Sequence, residues 1–197
     1  MNGPNEFPVN ASPGTGFAQV TYDNVAHTLK VDVTFSGLLC NTTASHIHCC
    51  VSPSAVTPTA GVATTTPTFA GFPLGVTSGS YLNTLNLTLA TSFNPSYITA
   101  NGGTPASAEV ALALGLAAGN SYLNIHSNVF PGGEIRGFLV PVPEPATLSL
   151  LGLGPSGLAT LRKRRPLTQS RGEQALPARR QQSPFQQDTR RNTHVVH

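Results

Sequence analysis

The sequence predicts an all-β fold: an antiparallel Greek-key β-sandwich or barrel-like domain with one short helix over residues 1–140, followed by a short C-terminal apolar helix (141–165) and a disordered tail (166–197). Three observations predict it. Apolar and polar residues alternate with period two in several short runs, the pattern of a half-buried strand whose successive side chains point to opposite faces. Clusters of Gly, Pro, Ser, Thr and Asn separate the runs and supply turns. The 197-residue chain is 39% hydrophobic but only 10% charged, with no Trp, and so lacks the Glu, Lys and Arg that solvate helical bundles.

The elements follow in order. Leu29, Val31, Val33 and Phe35 alternate with Lys30, Asp32 and Thr34, the clearest half-buried strand in the chain. Phe17 to Tyr22 is expected to pair with it as a hairpin turning at Asp23 to Ala26. Ser45 to Val51 reads as a strand with Ile47, Cys49 and Val51 on one face and His46, His48 and Cys50 on the other. Residues 52–80 form a long Pro/Thr/Gly loop with one short strand near Gly61 to Thr64. Leu85, Leu87 and Leu89 alternate with Asn86 and Thr88 as a further strand. The Ala- and Leu-rich stretch from Pro105 to Leu116 suits a helix ending at Gly119. Tyr122 to His126 and Glu134 to Val140 close the domain as a hairpin, with Gly132 and Gly133 in its turn.

Charge divides the chain. Residues 1–140 hold two Lys/Arg against five Asp/Glu, a net of −3, and residues 141–197 hold nine against three, a net of +6. The basic character therefore belongs to the C-terminal part. A domain with two basic side chains cannot make the phosphate contacts that dominate nucleic-acid affinity, so DNA and RNA are excluded as its partners. No catalytic residue is assigned. The chain has no Gly-x-Ser-x-Gly elbow, no well-placed carboxylate pair and no glycine-rich turn opening a helix.

Strand parity carries the one constellation with chemistry. Leu123 and Ile125 are expected inward with Ile135 and Leu139, which sends Asn124, His126, Glu134 and Arg136 outward. The same logic sends His46 and His48 outward. If the two strand regions are neighbours, His46, His48 and His126 converge, with Glu134 on the same patch. Two imidazoles at i and i+2 of a strand can share one ion, with a third from the adjacent strand, which suits zinc or copper. The alternative is that these histidines hydrogen-bond loop carbonyls and hold no cofactor. Glu134 and Arg136 read as a surface ion pair, and His27, His194 and His197 as solvated.

Cys40, Cys49 and Cys50 contain no Cys-x-x-Cys pair, so a four-thiolate zinc site is excluded. A disulfide from Cys40 to Cys49 or Cys50 is expected if the chain is exported. Residues 1–16 have no apolar core and do not read as a signal peptide, so either export is absent or the start lies upstream of Met1.

The segments Asn2 to Pro8 with Ser12 to Gly16, Ala44-Ser45-His46-Ile47-His48, Tyr122-Leu123-Asn124-Ile125-His126 and Phe130 to Gly137 together resemble the CHRD domain, named for chordin, over about residues 2–140. That resemblance implies an all-β extracellular domain with no general activity attached. Here Cys49-Cys50 stand where the family has small residues. Pro143, Glu144 and Pro145 follow, then an apolar stretch with Leu148, Leu150, Leu151, Leu153, Leu158 and Leu161, then Arg162, Lys163, Arg164 and Arg165. This is similar to a PEP-CTERM sorting signal, which implies recognition by an exosortase-type enzyme and a basic end kept on the cytoplasmic side. The 16 residues from Ala146 to Leu161 reach about 24 Å as a helix against a hydrocarbon core of about 30 Å, and Pro155 interrupts them. A transient membrane association is therefore expected. The leading expectation is an exported, non-catalytic envelope or matrix module that binds an extracellular protein or polysaccharide; the alternative is a metal-binding or redox β-sandwich protein.

Overall fold

The computed structural model describes residues 1–142 and the backbone of residues 191–196. The first hairpin forms as expected. Strand β1 (Thr15–Asp23) pairs antiparallel with β2 (Thr28–Ser36) from Thr15↔Ser36 to Asp23↔Thr28. The Asp23 carboxylate accepts from the backbone N–H groups of Val25 and Ala26 and closes the turn, the local side-chain bond that favours Asp at such positions. Leu29, Val31, Val33 and Phe35 are buried and the residues between them are not.

Strand β3 (Thr42–Cys49) belongs to a second sheet, and β4 (Gly79–Asn86) returns to the first beside β2. The expected strand from Leu85 to Leu89 thus overlaps only the end of β4. The Asn86 side chain accepts from the backbone and hydroxyl of Thr88 and ends the ladder there. Leu87 nevertheless joins the core, and Leu89 is exposed.

Two α-helices stand where one was expected. The second, α2 (Pro105–Ala117), matches the sequence reading. Thr104 caps it reciprocally with Ser107, Pro105 occupies its first turn, and Gly119 follows with a φ of +67°, the left-handed conformation that favours glycine after a helix. The first, α1 (Pro95–Ala100), begins at Asn94, whose side chain accepts from Ser96 N–H. The signal was Asn94-Pro95, a capping residue followed by proline, but six residues are too few to show a helical period.

Strands β5 (Ser121–Ser127), β6 (Ile135–Phe138) and β7 (Val140–Val142) complete the domain, and β8 (Arg191–Val196) pairs antiparallel with β1 and β7. A tail expected to be disordered over 166–197 therefore ends in a strand. The sheets run β4-β2-β1-β8-β7 and β3-β5-β6, and every pairing is antiparallel. One continuous core draws Val20, Leu29, Val31 and Val33 from the first sheet, Ile47, Leu123, Ile125 and Ile135 from the second, and Ala108, Leu112 and Leu116 from α2. Two sheets sharing one apolar interior are the sandwich the alternation predicts.

Candidate metal centre

Register brings the histidines together. In the β3/β5 pairing His46 lies opposite Asn124, His48 opposite Tyr122, and Ala44 opposite His126. Directly opposed residues share a face, so all three histidines stand on the side of the sheet away from Ile47, Leu123 and Ile125. The convergence expected from parity is present: one ring nitrogen from each of His46, His48 and His126 lies within 4.8 Å of the others.

The expected solvent-facing patch is corrected. His46, His48 and His126 are 6%, 8% and 9% exposed, and all seven residues of β5 are buried. The irregular residues after β3 fold back over this face, where the carbonyls of Ala60 and Pro67 meet His48 and His46. Alternation identifies a face but says nothing of what covers it.

Each imidazole is fastened from behind. His46 Nε2 lies 3.0 Å from Pro67 O, His48 Nδ1 2.7 Å from Ala60 O, and His126 Nδ1 2.8 Å from Pro131 O. A carbonyl oxygen only accepts, so each of these nitrogens carries the ring proton and donates it. The remaining nitrogens, His46 Nδ1, His48 Nε2 and His126 Nε2, then carry lone pairs. His46 Nδ1 and His48 Nε2 face each other at 3.2 Å, Asn124 hydrogen-bonds both rings, and buried His126 Nε2 has no hydrogen-bond partner.

The electrostatics agree with neutral rings. Burial, with the neighbouring histidines adding to it, pulls His46 down to about 3; burial likewise pulls His48 down to about 4 and lowers His126. Three neutral imidazoles with ring nitrogens within 4.8 Å of one another, each with a nitrogen held by a carbonyl, form a donor set suited to zinc or copper. Zinc–nitrogen bonds of about 2.0 to 2.1 Å in a tetrahedral set place neighbouring ligand nitrogens about 3.3 Å apart, close to the 3.2 Å between His46 and His48.

Around the trio lie Tyr122, which periodicity did not single out, and Arg136, which parity placed on the same face. Tyr122 stacks on His48 with ring centroids 4.7 Å apart and planes 8° from parallel, and the Arg136 guanidinium lies 4.8 Å from the Tyr122 centroid. Tyr122 shares the parity of His126, the one signal that could have found it. Arg136 donates to Asn5 O and Pro58 O and sits 3.6 Å from the buried Glu6 carboxylate. The expected Glu134–Arg136 surface pair is thus replaced by two buried arrangements. Glu134 accepts from Ser12 Oγ and Leu39 N–H at 2.7 and 2.6 Å.

Of the other sites, His27 is exposed as expected, and it also holds Nδ1 3.0 Å from the buried Glu109 carboxylate, which accepts from the Tyr22 hydroxyl as well. The disulfide joins Cys49 to Cys50, and Cys40 is a free thiol. Strand β3 runs between Cys40 and Cys49, and eight extended residues span about 25 Å, far beyond the roughly 7 Å between Cα atoms that a disulfide tolerates. His194 is part of β8, and His197 lies outside the described residues. So do Pro143, Glu144 and Pro145, the apolar residues from Leu148 to Leu161, and Arg162 to Arg165.

Fold and site together define an antiparallel β-sandwich with a buried three-histidine cluster on one sheet. The model of the CHRD domain matches residues 1–139, and the chain belongs to the CHRD domain family. A PEP-CTERM protein-sorting motif matches residues 141–165, so the chain carries the signal of exported proteins recognised by exosortase-type sorting machinery. No curated protein and no solved structure matches it.

Proposed function

We propose that this is an exported protein, sorted to the cell envelope or beyond by residues 141–165, whose β domain is a non-catalytic metal-binding module holding one zinc or copper ion on His46, His48 and His126. The observation that carries the reading is that one ring nitrogen from each histidine lies within 4.8 Å of the others while each ring also meets a backbone carbonyl. An arrangement serving only to tie loops to the sheet has no need to gather the three rings, and leaving buried His126 Nε2 without a partner is unfavourable unless a cation accepts its lone pair. Partners at the outer surface are an extracellular protein or polysaccharide, and the apolar segment holds the chain at the membrane only until processing.

The test is elemental analysis of the exported, purified protein. One equivalent of zinc or copper per chain is expected, with loss of that metal in the His46→Ala/His48→Ala variant. A fully folded protein that retains no metal after incubation with either ion would refute the reading and leave a metal-free binding module.

A further inference from the structure

We infer that Cys49 and Cys50 form a redox-active pair that exchanges with low-molecular-weight thiols, entered at Cys50. The chemistry is separate from ion binding, because neither sulfur belongs to the donor set proposed on the histidines. A disulfide steadies a fold by closing a loop of the unfolded chain, and less so the shorter the loop. The bond between Cys49 and Cys50 joins neighbours in sequence, so it ties no two elements together and has little to hold in place.

Access to the two sulfurs is unequal. Cys49, the last residue of β3, is 6% exposed, and Cys50 just beyond it is exposed. Exposed disulfides are the ones open to attack by thiols. Both sulfurs lie against α2 at Gly115, where a Cβ would overlap them, so the side chain that glycine lacks makes the room they occupy.

Two oxygens beside the pair are better served by thiols than by the disulfide. Cys50 Sγ lies 3.9 Å from Ala111 O. A carbonyl oxygen only accepts and a thiol donates weakly, whereas a disulfide sulfur has no hydrogen to give. Ser121 stands directly opposite Cys49 in the β3/β5 pairing, on the same face. Its Oγ is fully buried without a hydrogen-bond partner and lies 3.1 Å from the same Cβ position over Gly115. Reduction gives Ala111 O a donor and sets a thiol beside the Ser121 hydroxyl. The surroundings thus suit the dithiol, while the oxidising surroundings met by an exported protein favour the disulfide. These opposed preferences leave the pair responsive to the thiols around it.

Exchange takes two steps. A thiol RSH attacks Cys50 Sγ; the Cys49–Cys50 bond breaks, Cys49 leaves with the electron pair and takes the proton, and Cys50 carries a mixed disulfide with R. A second RSH attacks the sulfur of R, releasing RSSR and the Cys50 thiol. Two small thiols are oxidised and one protein disulfide is reduced.

The experiment uses the folded full chain in glutathione buffers of graded reduced-to-oxidised ratio, with thiol alkylation, mass mapping and urea unfolding on the same samples. Without denaturant, Cys49 and Cys50 are expected to gain label together as the ratio rises and to lose it together as it falls, at a nearly constant urea midpoint. Cys49→Ser is expected to hold glutathione on Cys50, and Cys50→Ser to hold none on Cys49. A disulfide that yields only in denaturant, a dithiol that oxidised glutathione leaves open, or a midpoint that falls sharply on reduction overturns the inference. Adducts mapped to Cys49 in place of Cys50 overturn the point of entry.

Discussion

Glu6 is a buried carboxyl with half its hydrogen-bonding capacity unmet, and this should be visible in how stability changes with pH. A 3-10 turn over Gly3–Asn5, capped by the Asn2 side chain, delivers Glu6 to a position 4% exposed. Its Oε2 lies 3.6 Å from Arg136 Nε, but its Oε1 is buried without a partner. Burial outweighs the attraction of the guanidinium and pushes the carboxyl from an ordinary 4.5 up to about 7. Between those two values the folded protein holds a proton that the unfolded chain has released. The favourable contribution is therefore complete below about pH 4.5 and is lost as pH rises through about 7. At about 1.4 kcal/mol per pH unit the gap amounts to about 3 kcal/mol. Glu6→Gln keeps the shape of the neutral acid and removes the titration. Urea unfolding of both proteins from pH 4.5 to 8 should show the variant gaining about 3 kcal/mol on the parent across that range. Parallel profiles would mean that the carboxyl is solvated, and the account of the network around Arg136 would fail.

Two other outcomes are expected. A Cβ at Gly115 would overlap the sulfurs of both Cys49 and Cys50 and stand 3.1 Å from Ser121 Oγ, so Gly115→Ala should destabilise the protein by about 1 to 3 kcal/mol through overpacking; unaltered chemical denaturation would show that the cysteine pair does not rest on α2. Deleting residues 141–165, the span of the sorting motif, should change the compartment in which the protein accumulates, read by fractionation, and an unchanged distribution would count against a sorting role.

The parts of the fold that could be read from the sequence are those set by local periodicity. Leu29 to Phe35 and Leu123 with Ile125 are buried where alternation placed them, and α2 starts and stops at its capping residues. The meeting of His46 and His48 with His126 was legible because two polar-faced strands needed only to be neighbours. The burial of that face was not, because its cover is irregular chain whose position is set by long-range bonds such as His48 to Ala60 and Arg136 to Pro58. Such bonds leave no period in the sequence. The cysteine pairing failed for a different reason. Oxidising conditions favour a disulfide but do not choose its partners, and the strand between Cys40 and Cys49 holds them apart.

Strand β5 separates two chemically unlike compartments, with Leu123 and Ile125 on one side and Tyr122, Asn124 and His126 on the other. Sliding it by a single residue against β3 would thrust an amide and an imidazole into hydrocarbon and take His126 away from His46 and His48 in the same stroke. Misalignment is thereby penalised twice, so the residues of the histidine cluster also guard the alignment of the smaller sheet. Substitutions that make the two sides of this strand more alike would erode fidelity of assembly before they eroded strength.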